Sequence, residues 1–161
     1  MEEFQQLKEI AQKKISLADH MLTMTYPLVK DTKLLLVVLE NIFLAMTNAM
    51  GSVLHYERLF KRVPPFTDNF ENKFSLFKEK CVTRYNINPE YTKLLREVKD
   101  IIVQHRKSPV EFVRKDRFVI CSDNYKIKTV SIDQIKEYIS RAKSFIQQTN
   151  FIVSKNERIF R

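Results

Sequence analysis

Gly51 is the only glycine in 161 residues. Tight hairpins and β-bulges rely on glycine, because it alone enters the left-handed backbone region without steric cost. A β-sandwich needs a turn about every ten residues. This chain is poorly supplied with such turns, so a helical architecture is expected. The five prolines, at positions 27, 64, 65, 89 and 109, act as punctuation that starts and stops helices. Hydrophobic residues make up 44% of the chain, enough to bury a core, and the 29% that are charged carry both signs, which argues against disorder throughout. One domain spanning residues 1–161 is the expectation.

Five helices can be read from three- and four-residue spacing of apolar side chains. Phe4, Leu7, Ala11, Ala18, Met21 and Leu22 predict a helix from about Glu2 to Thr25, with Pro27 disfavouring helix at Tyr26. A second helix is predicted from about Thr32, capped by Asp31 or by Thr32 itself, to Arg62, ahead of Pro64 and Pro65. It is apolar nearly all round, as a central helix should be. Its polar residues form a narrow stripe, in which Asn41, Asn48, His55 and Arg62 recur every seven residues beside Lys33, Glu40, Thr47 and Gly51. Leu34 to Leu54 is long enough to cross a membrane, but Glu40, Asn41, Asn48 and Ser52 interrupt it. A carboxylate near mid-span costs about 2.5–3.5 kcal/mol. A buried helix of a soluble bundle is therefore expected.

The third helix starts near Asp68, carries an aromatic stripe of Phe66, Phe70, Phe74, Phe77 and Cys81 that reads as core, and ends at Tyr85-Asn86. Asn88-Pro89-Glu90 opens the fourth with a cap, a first-turn proline and a carboxylate at the positive end of the dipole. Its face is Tyr91, Leu94, Leu95, Val98, Ile101, Ile102 and His105. Residues 110–130 are the one β-like region. Ser131-Ile132-Asp133-Gln134 has the spacing of a capping box and begins a last helix to about Asn150, followed by a tail, 154–161, that can fray. The expected fold is mainly all-α: a bundle of four to five helices, with a small β-hairpin at about 110–130 inserted before the last.

Several chemistries are excluded or unsupported. One glycine cannot build a phosphate-cradling loop or a dinucleotide fingerprint, and no nucleophile elbow is present. Cys81 and Cys121 have no zinc spacing and read as buried apolar side chains. No cofactor and no metal are expected. The acidic, polar N-terminus does not resemble a secretion signal, and a cytoplasmic location is the expectation.

Charge gives the first pointer to a partner. Lys and Arg number 28 against 19 Asp and Glu, a net +9. Such a surface attracts polyanions through long-range Coulomb forces and counterion release. In the β-like region Arg114, Lys115, Arg117, Lys126 and Lys128 interleave with Phe112, Phe118 and Tyr125, a pattern that suits the phosphates and stacking faces of single-stranded nucleic acid. The same alternation also suits a strand that buries its aromatics and solvates its charges. His105, at the end of a core-facing stripe, admits three roles: packing with a bond to a terminal carbonyl, ligand binding, or acid–base chemistry.

The bundle layout and the segment Leu94-Leu95-Arg96-Glu97-Val98-Lys99-Asp100-Ile101-Ile102-Val103-Gln104-His105-Arg106 resemble the HEPN-like superfamily, small helical bundles that are often dimeric. The resemblance implies a module that binds RNA or a nucleotide. Its catalytic members are metal-independent ribonucleases with an arginine some four to six residues before the histidine. Here Arg96 lies nine residues before His105, on the opposite side of a helix, and Lys99 stands closer to that spacing. Lysine lacks the forked phosphate contact of arginine. The resemblance therefore implies binding without catalysis, with Lys99, His105, Arg106, Lys107, Arg114 and Arg117 as the anion-contacting set. A homodimer is expected, and the stripe of Asn41, Asn48 and His55 offers a polar seam that could set its register, with Gly51 allowing close approach. Two other readings stay open: an assembly module whose charge serves only solubility, and a ribonuclease using His105.

Overall fold

The computed structural model describes residues 2–107, 111–114, 117–121 and 127–155, with side chains described outside 107–129. The chain is a helical bundle with a small antiparallel sheet before its last helix, in agreement with the expected class. Helix α1 (Glu3–His20) runs through a π-helical stretch, Met21–Thr25, into the short α2 (Tyr26–Val29). Helix α3 (Thr32–Leu59) is central. Helix α4 (Phe70–Leu76) continues as a second π-helical stretch, Phe77–Val82. Helix α5 (Pro89–Lys107) precedes strands β1 (Glu111–Arg114), β2 (Arg117–Cys121) and β3 (Ile127–Ser131), and α6 (Ile132–Ser154) closes the fold.

Most helix starts follow the predicted chemistry. The Asp31 side chain accepts the Lys33 N–H at 3.0 Å, and Asn88 accepts that of Glu90 at 3.0 Å. Ser131 and Gln134 form the reciprocal box, at 3.1 and 2.9 Å. The third helix starts slightly later than predicted, with Asn69 as its cap, accepting from Glu71 and Asn72.

The first helix does not stop at Thr25. Tyr26 keeps helical angles, φ −57° and ψ −43°, and its side chain is buried. The widened turn before Pro27 moves aside the carbonyls that its ring would strike in a regular helix. The second helix ends at Leu59 rather than Arg62, because the turn is made by a residue in the left-handed region, Lys61. The last helix runs beyond Asn150 because Ile152 and Val153 are still core residues.

Helix ends expose how a chain with one glycine turns. Lys30, Lys61 and Asn86 all have positive φ, at 51°, 57° and 51°, and each follows a helical segment. Glycine would take these positions at least cost, and a side chain there adds roughly 1–2 kcal/mol of strain. Gly51 sits instead within α3, buried, where a Cβ would lie 3.4 Å from Leu7 Cδ1. The close approach it permits is thus to α1 of the same chain, not to another subunit.

The core is built around α3, whose Leu35, Val38, Leu39, Ile42, Ala45, Met46, Met50 and Leu54 are all solvent-excluded. Helix α1 lies against it antiparallel, with Glu3 beside His55 and Met21 beside Asn41. An 18-residue window of α3 is long and apolar enough to cross a membrane, with mean hydropathy 1.7, yet 56% of it is buried inside the bundle. The sheet has the order β1-β2-β3, so the expected hairpin is extended by a third strand. Its register sets Arg114 opposite Arg117 and Phe118 opposite Val130. Val130 is buried and carries the sheet into the core.

Candidate anion-binding mouth at the end of α3

The C-terminal turn of α3 reads Glu57-Arg58-Leu59-Phe60-Lys61-Arg62, followed by Val63-Pro64-Pro65. Lys61, in the left-handed region, reverses the chain, and the Arg62 N–H returns to the Glu57 carbonyl at 3.0 Å. The two prolines then stiffen the exit. Lys80, from the π-helical stretch after α4, approaches the same place. Arg58, Lys61, Arg62 and Lys80 line a cavity of about 560 Å³ with Val63, Pro64 and Pro65, and no carboxylate lines it.

Beneath this mouth is a buried charge. Glu57 is 1% exposed. It accepts a hydrogen bond from the Tyr85 hydroxyl, and its two carboxylate oxygens face Arg62 Nη1 at 3.4 Å and Arg84 Nε at 3.7 Å. Arg62 also donates to the Tyr85 oxygen at 3.3 Å. A carboxylate taken out of water is tolerated only with such pairing. Burial and the bond to Glu57 push the Tyr85 hydroxyl well above its ordinary range. Burial, helped by the charge of Glu57, pushes the neighbouring Cys81 thiol up to about 12, so it is an inert packing group, as its sequence position suggested.

The arginines are held by planes as well as charges. Arg62 lies 4.6 Å from the Phe60 ring centre and 5.9 Å from that of Tyr56, and Arg58 lies 5.7 Å from Phe66. Some of this positive charge is accounted for locally, since a helix C-terminus carries about half a negative charge and attracts cations. Glu57 and Glu79 supply two more negative charges. Arg58, Lys61, Arg62, Lys80 and Arg84 exceed that sum, and Arg58 and Lys61 make no ion pair among the described residues. The surplus is open to a ligand.

The anion set expected from sequence is distributed differently. Lys99 is engaged: its ammonium lies 2.9 Å from Glu71 Oε1 and 4.0 Å from the Phe70 ring centre. Arg96 grips the same carboxylate with both terminal nitrogens and stacks on Phe74 at 4.9 Å. His105 is half-buried with Nδ1 shielded from solvent, whereas Arg106 is exposed. His105 lies six positions after Lys99, about 120° away around the helix, so the two do not share a face. The side chains of Lys107, Arg114 and Arg117 lie outside the described residues.

The polar stripe of α3 is also resolved. Asn41 donates to the Val37 carbonyl at 2.9 Å and Asn48 to that of Leu44 at 2.7 Å, so each bonds its own helix. His55 packs edge-on to Phe66 at 5.1 Å, with Nδ1 3.7 Å from Glu3. Burial lowers its pKa, against the opposing pull of Glu3.

Sequence reasoning passed over Arg58, Lys61, Arg62 and Lys80. The signal was present as a run of three cations within five residues before Pro64, but it was read as a helix stop. That Lys80 joins the run depends on how α4 packs, which no local pattern encodes. Among the described residues no group of His, Cys, Asp and Glu could hold a metal ion. No family model matches this chain, and no curated protein matches it in sequence.

Proposed function

We propose that this chain is a non-catalytic module, HEPN-like in layout, that binds the phosphate groups of RNA or of a nucleotide at the end of α3. The observation that carries this reading is the cavity lined by Arg58, Lys61, Arg62 and Lys80 without a lining carboxylate. Lys61 adds support, because it holds a strained backbone position where glycine is cheaper. Arg106 and the sheet cations, Arg114 and Arg117 among them, are candidates for extending the contact along a polynucleotide. Catalysis is left out of the proposal because Lys99, the cation nearest the expected spacing from His105, is committed to Glu71.

The test is binding of a labelled single-stranded RNA at low and moderate salt, with a nucleoside triphosphate as competitor. Affinity should fall steeply with salt, in proportion to the phosphates neutralised. Arg58→Glu/Lys61→Glu should lose most of the binding. Competition by the triphosphate at similar concentration would assign a nucleotide site, and its failure a polynucleotide track. No binding of either ligand at low salt would overturn the reading. A second reading, an assembly module, is favoured by the exposed apolar residues of α1 and α3.

A further inference from the structure

Large apolar side chains crowd the tip where the chain turns back from α2 into α3. Leu28 is 86% exposed, the most of any large apolar side chain among the described residues, with Met24 at 60% and Val29 at 59%. Met24 stands one turn before Leu28, and Pro27 between them is exposed as well. Tyr26, in the same turn, is buried and ties it to the core. The fold therefore holds this apolar tip out in solvent at a fixed place.

The charges around the tip are cationic. Lys30 and Lys33 are exposed and have no partner among the described residues. Asp31 lies between them, but its carboxylate caps α3, accepting the Lys33 N–H at 3.0 Å, where it offsets the positive end of the helix dipole. Lys30 keeps its long cationic side chain at a positive φ that glycine would take at least cost. Lys8 with Ser154 and Asp19 with Lys143 set α6 antiparallel to α1, and Tyr91 with Phe145 and Glu97 with Tyr138 set α5 antiparallel to α6. The C-terminal end of α5, with exposed Arg106, thus shares this end of the bundle. Asp133 and Lys136, exposed at the start of α6, offset each other.

We infer that the tip is a peripheral membrane anchor, in which Met24, Leu28 and Val29 enter the acyl boundary of an anionic bilayer while Lys30, Lys33 and Arg106 meet its headgroups. A bilayer surface offers both halves of this chemistry, negative charge at the headgroups and hydrocarbon about 5–10 Å below them. Lysine suits the boundary, because its aliphatic stem packs among apolar groups while its ammonium stays in water. One apolar turn holds weakly alone, so stable docking needs the lysines as a second signal. The contact is with the surface, and α3 stays in the core of the bundle.

This inference does not require phosphate binding at the cationic mouth, and the two can fail separately. The 28 residues of α3 separate tip from mouth by about 40 Å, several Debye lengths at physiological salt. A docked chain holds the mouth clear of the bilayer.

The test is co-flotation of the full chain, at physiological salt, with vesicles of phosphatidylcholine alone or mixed with phosphatidylserine. The chain should partition onto the mixed vesicles and far less onto the neutral ones. Leu28→Ser/Val29→Ser should reduce partitioning about tenfold or more, with unchanged helical circular dichroism and unchanged RNA binding. Lys30→Gly/Lys33→Gln should reduce it about fivefold per lysine, although the glycine relieves the backbone. Arg58→Glu/Lys61→Glu should partition as the parent does. The chain has no tryptophan, so Leu28→Trp supplies a single fluorophore whose emission should shift to the blue on the mixed vesicles. A parent that stays off the mixed vesicles would overturn the proposal, as would binding untouched by Leu28→Ser/Val29→Ser. Binding lost in Arg58→Glu/Lys61→Glu would overturn it by assigning the lipid to the mouth. A blue shift that grows with protein concentration and no vesicles would overturn it too, assigning the tip to another copy of the chain.

Discussion

Glu71 on α4 receives both terminal nitrogens of Arg96 on α5, each at 2.8 Å, and also Lys99 at 2.9 Å. One carboxylate thereby ties two helices together through a forked contact that lysine alone could not make. The bonds from Arg96 and then Lys99 hold the Glu71 carboxyl down at about 2, from an ordinary 4.5. The unfolded chain takes up the proton first as pH falls. The stability this contact adds is present above the ordinary value and is lost on acidification through about 2. Carboxyl NMR should find the Glu71 midpoint near the lower value, and Arg96→Met should return it towards 4.5. A parent midpoint already near 4.5 would show that the fork does not persist in solution.

Tyr85→Phe should destabilise the fold by about 1–3 kcal/mol, because it strips a hydrogen bond from a buried carboxylate rather than from an exposed one. Urea unfolding is the measurement, read as a lower midpoint at unchanged slope. An unchanged midpoint would mean that Arg62 and Arg84 alone satisfy Glu57.

His55 should make the fold weaker in acid. Burial lowers its pKa below 6.5, so the unfolded state binds its proton more readily than the folded state. Its contribution is full above the unfolded pKa and declines as pH falls through the folded one. Comparing denaturant midpoints of the parent and His55→Gln, from neutral pH to about 5, should show a shallower decline in the variant. Equal declines would contradict the assignment.

Glycine placement yields opposite substitutions with the same sign. Gly51→Ala should stabilise α3 by about 0.5–1 kcal/mol, because the added methyl meets only the mobile end of Leu7 while the helix gains propensity. Lys30→Gly should also stabilise, by about 1 kcal/mol, by relieving the positive φ that ends α2. Thermal unfolding of each variant decides the matter. A lower Tm for Gly51→Ala would mean that Leu7 cannot yield.

Much of the fold was legible because its determinants are local. The caps Asp31, Asn88 and Ser131 announce their helices within three residues, and the stripe from Leu94 to Ile102 declares its buried face through spacing alone. The continuation through Tyr26 was hidden, since a widened turn beside a proline has no periodic signature. The candidate site was less legible than the fold. Lys99 looked available because Glu71 is 28 residues away in sequence, yet packing of α4 on α5 brings the two together. The same kind of distant juxtaposition puts Lys80 beside Lys61 and buries Glu57 against Tyr85.

The two π-helical stretches, Met21–Thr25 and Phe77–Val82, have a consequence for how this chain can vary in length. A π-turn winds one surplus residue into a helix while the segments on either side keep their faces. Removing a residue there returns the helix to its ordinary winding, whereas the same deletion in α3 would turn everything beyond it by about 100° and carry half of the core stripe into solvent. Each stretch is therefore a point of slack in an otherwise fixed screw, the place where a helix of this bundle can be shortened by one residue without losing its phase.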